Sequence, residues 1–346
     1  MGDSDMLKQG FIASMGFEAA RRLGSLERHG HSFWVTATSD APLDVLKQAL
    51  ASVCAGWHMR DLNGFFMEPN DVTLAQYIKE ALQSQLSDVS NVGHDDGYGV
   101  MSVELRSAPN MGVRCEGTVV SRWLSVEFSA AHFLPNVPEG HQCGRLHGHG
   151  FKVKLSVDAR TCAPERLTRA WQDLYAQLNH SHLNHIKGLE NPTSEHLTEW
   201  LWQRLKSIVP LHAVEVFETS TAGSRRDANG YTIWKEVRFE AAQPFDDAGR
   251  YTGHSYLARL YLQGETLDAQ AGWLRDFADV KAVFKPIYNQ LDHYALDEIE
   301  DLAGYDCATL AAWMAAQLSG ALPELSRVDV FENESSGAVV FVREGV

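Results

Sequence analysis

The chain has 346 residues, 45% of them apolar and 22% charged, with a formal net charge of −15. That length allows two or three domains with cores of their own, and so acidic a chain without a lysine- or arginine-rich block excludes nucleic acid as a partner. No apolar run approaches the ~20 residues that span a bilayer, and the opening MGDSDMLKQGF has neither basic patch nor apolar core, so no membrane segment and no signal peptide is expected, and the cytoplasm is.

The predicted elements, in chain order, fall into a pattern that repeats. Phe17-Glu-Ala-Ala-Arg reads as a short strand, HGHSFWV from His29 as a second, and SVELRSA around Val103 as a closing β stretch; GHDDGYG (Gly93 to Gly99) before it reads as a loop. Phe128-Ser-Ala-Ala-His opens the pattern again. HGHGFKV from His147 follows, with Phe151, Val153, Leu155 and Val157 alternating as in a half-buried strand. Leu197, Leu201, Leu205 and Ile208 then recur at helical spacing, with Thr193 and Ser194 at the N-cap behind Pro192, and AVEVFETS around Val214 closes the copy. Phe239-Glu-Ala-Ala-Gln, TGHSYLA from Thr252 and RVDVFENES around Val328 repeat the series a third time.

Phe17, Phe128 and Phe239 stand 111 residues apart, twice over, which identifies a triplication. Each copy is expected to run strand, strand, helix, helix, strand, strand, with units at 1–116, 117–229 and 230–346. Four-stranded antiparallel units leave edges to be covered, and three joined edge to edge close into a barrel.

Chemistry concentrates in the second copy, in HQCGRLHGHGF (His141 to Phe151). Residues i and i+2 of a strand share a face, so His147 and His149 project together, and an antiparallel neighbour brings His132 to the same place. Three imidazoles with no fourth protein ligand suit a catalytic zinc; the alternative is histidines that hydrogen-bond within a barrel. Cys143 has polar neighbours (Gln142, Gly144, Arg145), and zinc and Arg145 would favour its thiolate and a role as general base. Cys54, Cys115, Cys162 and Cys307 are scattered and read as structural thiols, not as a disulfide framework.

Phe128-Ser-Ala-Ala-His132, the Cys143-to-His149 spacing of PEGHQCGRLHGH, Gly188-Leu-Glu-Asn-Pro-Thr-Ser-Glu195 and Val216-Phe-Glu-Thr219 resemble the 6-pyruvoyltetrahydropterin synthase family, and within it the bacterial 6-carboxytetrahydropterin synthases of the queuosine pathway. The resemblance implies an α+β tunnelling fold (T-fold). Three ββααββ units would close a pseudo-trimeric antiparallel β-barrel with helices outside, and two such chains would pair as a homodimer equivalent to the family's hexamer.

It also implies a site shared between neighbouring units, one giving three zinc histidines and a cysteine, the next an aspartate–histidine pair. The second copy keeps His132, His147, His149 and Cys143, but its Leu-Asp-His has become Leu178-Asn179-His180. The third copy has Gln243, Thr252 and His254 at the metal positions and Ala248 at the cysteine, yet keeps Trp273-Leu-Arg-Asp-Phe277 and Leu291-Asp292-His293. The first has Arg21 for the first histidine, Ser25 for the cysteine, and Arg106 near the place of the pterin-anchoring glutamate. One composite site is therefore expected, between units two and three. Zinc sits on His132, His147 and His149; Cys143, Asp292 and His293 move protons. Glu218, or else Glu332, anchors the pterin, Thr193 and Ser194 contact its ring, and Arg145 with Lys152 and Lys154 is available to the triphosphate. The implied reaction converts 7,8-dihydroneopterin triphosphate to 6-carboxytetrahydropterin. The alternatives are pyruvoyl-product formation and a non-catalytic pterin-binding protein.

Overall fold

The computed structural model describes residues 8–89, 97–246 and 248–343. Gly93 to Asp96 of the expected loop, and the first seven residues of the opening stretch, lie outside them.

The first unit comprises β1 (Lys8–Arg21), β2 (His29–Ser39), α1 (Leu43–Ala55), the short β3 (Arg60–Asp61), α2 (Asp71–Ser87), β4 (Val100–Ala108) and β5 (Met111–Glu116). The second repeats the order as β6 (Val119–His132), β7 (His147–Asp158), α3 (Pro164–Leu178), β8 (Ser181–His182), α4 (Ser194–Leu205), β9 (Leu211–Thr219) and β10 (Ala222–Asp227). The third follows as β11 (Gly230–Pro244), β12 (Tyr251–Gly264), α5 (Phe277–Leu291), β13 (Tyr294–Ala295), α6 (Cys307–Leu318), β14 (Leu325–Asn333) and β15 (Ser336–Phe341).

Twelve of these strands form one closed antiparallel barrel in the order β10-β9-β7-β6-β5-β4-β2-β1-β15-β14-β12-β11, with β11 pairing back onto β10. The seams between units are ordinary ladders: β5 on β6 from Met111↔Leu124 to Glu116↔Val119, β1 on β15, and β10 on β11 from Ala222↔Lys235 to Asp227↔Gly230. Closure leaves the long strands no free edge. β3, β8 and β13 lie outside that ring and each pairs in parallel with the first strand of its unit.

Period-two alternation divides each long strand between two environments. In β7, Phe151, Val153, Leu155 and Val157 pack beneath the helices with Leu167, Trp171, Leu174 and Leu178, the stripe of α3 at helical spacing. The first and third units have equivalent clusters. The other face of the strands lines the lumen and is charged but paired: Lys154 Nζ lies 3.5 Å from Glu104, Arg225 Nη1 2.8 Å from Glu215, and Arg327 Nε 2.6 Å from Asp329. Lys152 and Lys154, expected near the triphosphate, stand on that face over the rings of Phe217 and Trp123.

Among the described residues, four of the six helices (α2, α4, α5 and α6) start on side-chain caps. Asn70 accepts from Thr73 N, Thr193 from His196 N, and Asp276 from Ala278 N. One detail of the sequence reading is corrected: α4 ends at Leu205, so Ile208 lies beyond it and is exposed, and Val209 fills the core instead. Among the described residues no helix is long and apolar enough to cross a membrane.

Candidate metal and active site

The β6–β7 ladder sets the histidines. His132 pairs with His147 and Ala130 with His149, so the three rings meet with centroids 4.5 to 5.2 Å apart. Two of the outer nitrogens are tied down. His132 Nδ1 lies 3.0 Å from the Pro192 carbonyl oxygen and His147 Nδ1 2.7 Å from that of Arg145. A carbonyl only accepts, so each Nδ1 carries the proton and each Nε2 is left with its lone pair. His132 Nε2 and His149 Nε2 are buried without a hydrogen-bond partner. Burial pushes His132 down to about 4 and lowers His149, so both rings are neutral near pH 7.

Glu218, at the end of β9, closes the group. Its Oε1 is 3.4 Å from His149 Nε2 and 3.9 Å from His132 Nε2, and one ligand atom from each of the four residues falls within a 4.8 Å span. Zinc bonds of about 2.0–2.2 Å place tetrahedral ligands about 3.3–3.6 Å apart, a spacing this group reaches with small adjustments. Orphaned, neutral imidazole nitrogens converging on one point fit such an ion. Glu218 itself is pushed up to about 7 by burial first and by Glu195 second.

Glu195 is a residue the sequence reading passed over. It is buried, pushed up to about 7 chiefly by desolvation, and accepts from Leu274 N at 3.1 Å and from Ser194 Oγ at 3.0 Å. Thr193 Oγ1 caps α4 and donates to the Gly272 carbonyl at 2.7 Å. The two hydroxyl protons expected at a pterin ring are thus spent on Glu195 and on the neighbouring unit.

Cys143 sits in a short turn (Gln142–Gly144) next to the triad. Its amide donates to His141 Nδ1 at 3.2 Å and its carbonyl accepts from Leu134 N at 2.8 Å. The thiol is raised by burial, then by the Glu218 and Asp276 carboxylates. This corrects the expectation that Arg145 favours the thiolate: Arg145 is exposed and does not figure in the balance.

The third unit reaches the second through residues 270–276. Asn136 Nδ2 donates to Gln270 O and Asn191 Nδ2 to Ala271 O, both at 2.7 Å, and Asp276 Oδ2 lies 3.6 Å from His141 Nε2. Asp292 and His293 occupy a separate turn of that unit. Asp292 accepts from Glu240 N at 3.0 Å and from Tyr288 Oη at 2.9 Å, and lies 3.0 Å from His293 Nδ1; the backbone donor from Glu240 does most to hold its carboxyl below the usual range. His293 takes a left-handed φ of 65° and its side chain is 76% exposed. Among the described residues no hydrogen bond or ion pair joins it to Cys143. In the second unit Asn179 accepts from Ser129 N at 3.0 Å and His180 has φ 60°, so that turn keeps its shape and has lost its charge.

The other seams differ. Glu332, the second candidate anchor, faces Lys47 of the first unit at 3.7 Å and is not among the residues around the triad, because β14 and β15 border unit one. At the third unit's metal positions Gln243 accepts from Tyr256 Oη at 3.3 Å. In the first unit the register β2–β4 pairs Trp34 with Arg106 as β7–β9 pairs Lys152 with Phe217, so Ser107, not Arg106, stands at the place of Glu218. Among the described residues the second unit holds the one metal-binding group of this kind.

A 6-carboxy-5,6,7,8-tetrahydropterin synthase of Synechocystis is 39% identical over 112 residues, covering 28% of this chain and 85% of that protein. A putative 6-carboxy-5,6,7,8-tetrahydropterin synthase of Archaeoglobus fulgidus is 35% identical over 81 residues, 21% of this chain and 65% of that protein. The 6-pyruvoyl tetrahydropterin synthase structure of Caenorhabditis elegans aligns at 22% identity over 31% of this chain and 92% of its own, with a TM-score of 0.28. The family model for 6-pyruvoyl tetrahydropterin synthase matches twice in tandem, at residues 123–228 and 232–343, and the chain belongs to that family.

Proposed function

We propose that the chain is a zinc-dependent pterin lyase of the 6-carboxytetrahydropterin synthase type, acting on 7,8-dihydroneopterin triphosphate at one composite site between units two and three. The observation that carries this reading is the convergence of His132, His147 and His149 with two orphaned Nε2 atoms. These three residues would hold the ion, which when bound supplies a Lewis acid for the hydroxylated side chain of the pterin.

The chain's own groups supply the rest. Cys143 exchanges protons on the substrate side chain, and a raised thiol pKa suits a group that must hold a proton as well as take one. His293, oriented by Asp292 through Nδ1, is the partner acid or base. Glu218 accepts paired hydrogen bonds from the guanidine-like edge of the pterin, and Arg145 meets the triphosphate at the exposed mouth. Exposed Leu146, Phe245 and Tyr294 lie by the tips of the first hairpins of units two and three, an apolar rim that supports pairing of two chains. The reading places the protein in the cytoplasm, in a queuosine-type pathway.

The reach of Glu218 to His149 Nε2 favours one alternative. A fourth protein ligand would close the metal site, as structural zinc sites are closed, and leave a pterin-binding protein without turnover. Incubating zinc-loaded protein with 7,8-dihydroneopterin triphosphate separates the readings. Acetaldehyde and triphosphate together support the carboxy product, triphosphate alone supports the pyruvoyl product, and neither, beside an active one-domain relative, supports the binding protein.

A further inference from the structure

The seam between the first and second units holds a cavity of about 290 Å³ at the place equivalent to the triad. Arg21 pairs with His29 in β1–β2 as His132 pairs with His147, and Nη1 of Arg21 donates to the Pro69 carbonyl at 3.0 Å as His132 Nδ1 does to Pro192. A guanidinium thus stands where a metal ligand would, 3% exposed and 2.6 Å from Asp71. The acidic anchor is gone with it, since Ser107 stands in place of Glu218 and donates to Asp71 at 2.6 Å. Lys235, which faces Glu218, is matched by Leu124.

Buried side-chain atoms without partners gather at both sites. Three of those on the described residues, Arg21 Nε, His31 Nε2 and Trp123 Nε1, belong to residues lining this cavity. Two of the three are obligate donors. Arg21 and Arg122 bring two guanidiniums to the lining and Asp71 its one carboxylate, so the lining carries one net positive charge in a chain of net −15, and Leu23, Met111, Leu124 and Leu167 make apolar walls. Two unpartnered donors, Arg21 Nε and Trp123 Nε1, set among apolar walls suit a ligand unlike that of the triad site.

We propose that this seam is a second binding site, specific for a small organic monocarboxylate with a flat apolar body, whose carboxylate takes the unpartnered donors of Arg21 and Trp123. A void of about 300 Å³ is the lower end of small-molecule sites and admits one or two fused rings. This site does not depend on turnover at the triad, and its test reads binding alone.

Chelator-stripped full-length protein is titrated calorimetrically with benzoate and 2-naphthoate, each beside its neutral amide. The acids should saturate with Kd below about 1 mM and bind at least about tenfold tighter than the amides. Arg21→Met should erase that preference. Thr168→Trp, an exposed position of α3 at the cavity mouth, should weaken binding without touching the buried ion pair, and decides the matter should the Arg21 variant fail to fold. His147→Ala, at the triad, should leave binding intact. Equal affinity for acid and amide, no saturation by either acid, or undiminished binding in Thr168→Trp would overturn the proposal.

Discussion

His141 Nε2 lies 3.6 Å from Asp276 Oδ2, so the turn that carries Cys143 is held against the N-cap residue of a helix in the next unit. Asp276 also raises the Cys143 thiol. Asp276→Asn keeps an oxygen to cap α5 and removes the charge. It should therefore lower the Cys143 pKa with little loss of stability. The pH dependence of iodoacetamide alkylation, with Cys143→Ser as the blank, checks this; an unchanged or raised midpoint would count against the electrostatic role.

Metal content should be one zinc per chain, lost on chelation. His147→Ala should lose it, while Glu218→Gln should retain it if Glu218 anchors the pterin. A ligand bound at a hundredfold above Kd stabilises by about 2.7 kcal/mol, so the holo protein should melt several degrees above the stripped one. Three zinc ions per chain in elemental analysis would contradict the single-site assignment.

Asp292→Asn and His293→Ala should each reduce turnover by about 10²–10⁴-fold, the usual range for a lost proton-transfer group, with zinc content unchanged. Asn179→Asp, which restores the charge on the wrong seam, should not compensate. Steady-state rates with full activity in His293→Ala would remove the third unit from the mechanism.

Burial holds the Glu195 carboxyl at about 7, well above its usual 4.5. A raised acid is protonated in the folded state, so its stabilising share is complete below about pH 4.5, falls as pH rises toward 7 and is gone above that, a loss of up to a few kcal/mol. Glu195→Gln keeps the acceptor for Leu274 N and cannot ionise. Its stability relative to the parent should improve between pH 5 and pH 8 in urea melts; a difference flat across that interval would refute the assignment.

Periodicity made the barrel legible. The 111-residue spacing and the alternation through Phe151 to Val157 describe strands that the structure pairs as expected. The triad was legible for the same reason, because i and i+2 geometry is local. What escaped was contact across the seam. Nothing in the sequence around Thr193 says that its hydroxyl answers Gly272, or that Glu195 is buried by Leu274 some eighty residues on. Glu332 shows the converse: VFEN copies VFET in letters, yet barrel order sends it to Lys47. A repeated motif specifies a fold position three times over, while its neighbour is decided by which unit comes next.

The ladder from Ala222↔Lys235 to Asp227↔Gly230 joins the last unit to the second within one chain. A ring of three separate subunits falls apart on dilution and repeats every substitution three times. Here association carries no translational penalty, and each junction can drift by itself. One has kept all three imidazoles, another has acquired a guanidinium beside His29 and His31, and the third retains His254 alone, a divergence that a symmetric assembly of identical chains is unable to evolve.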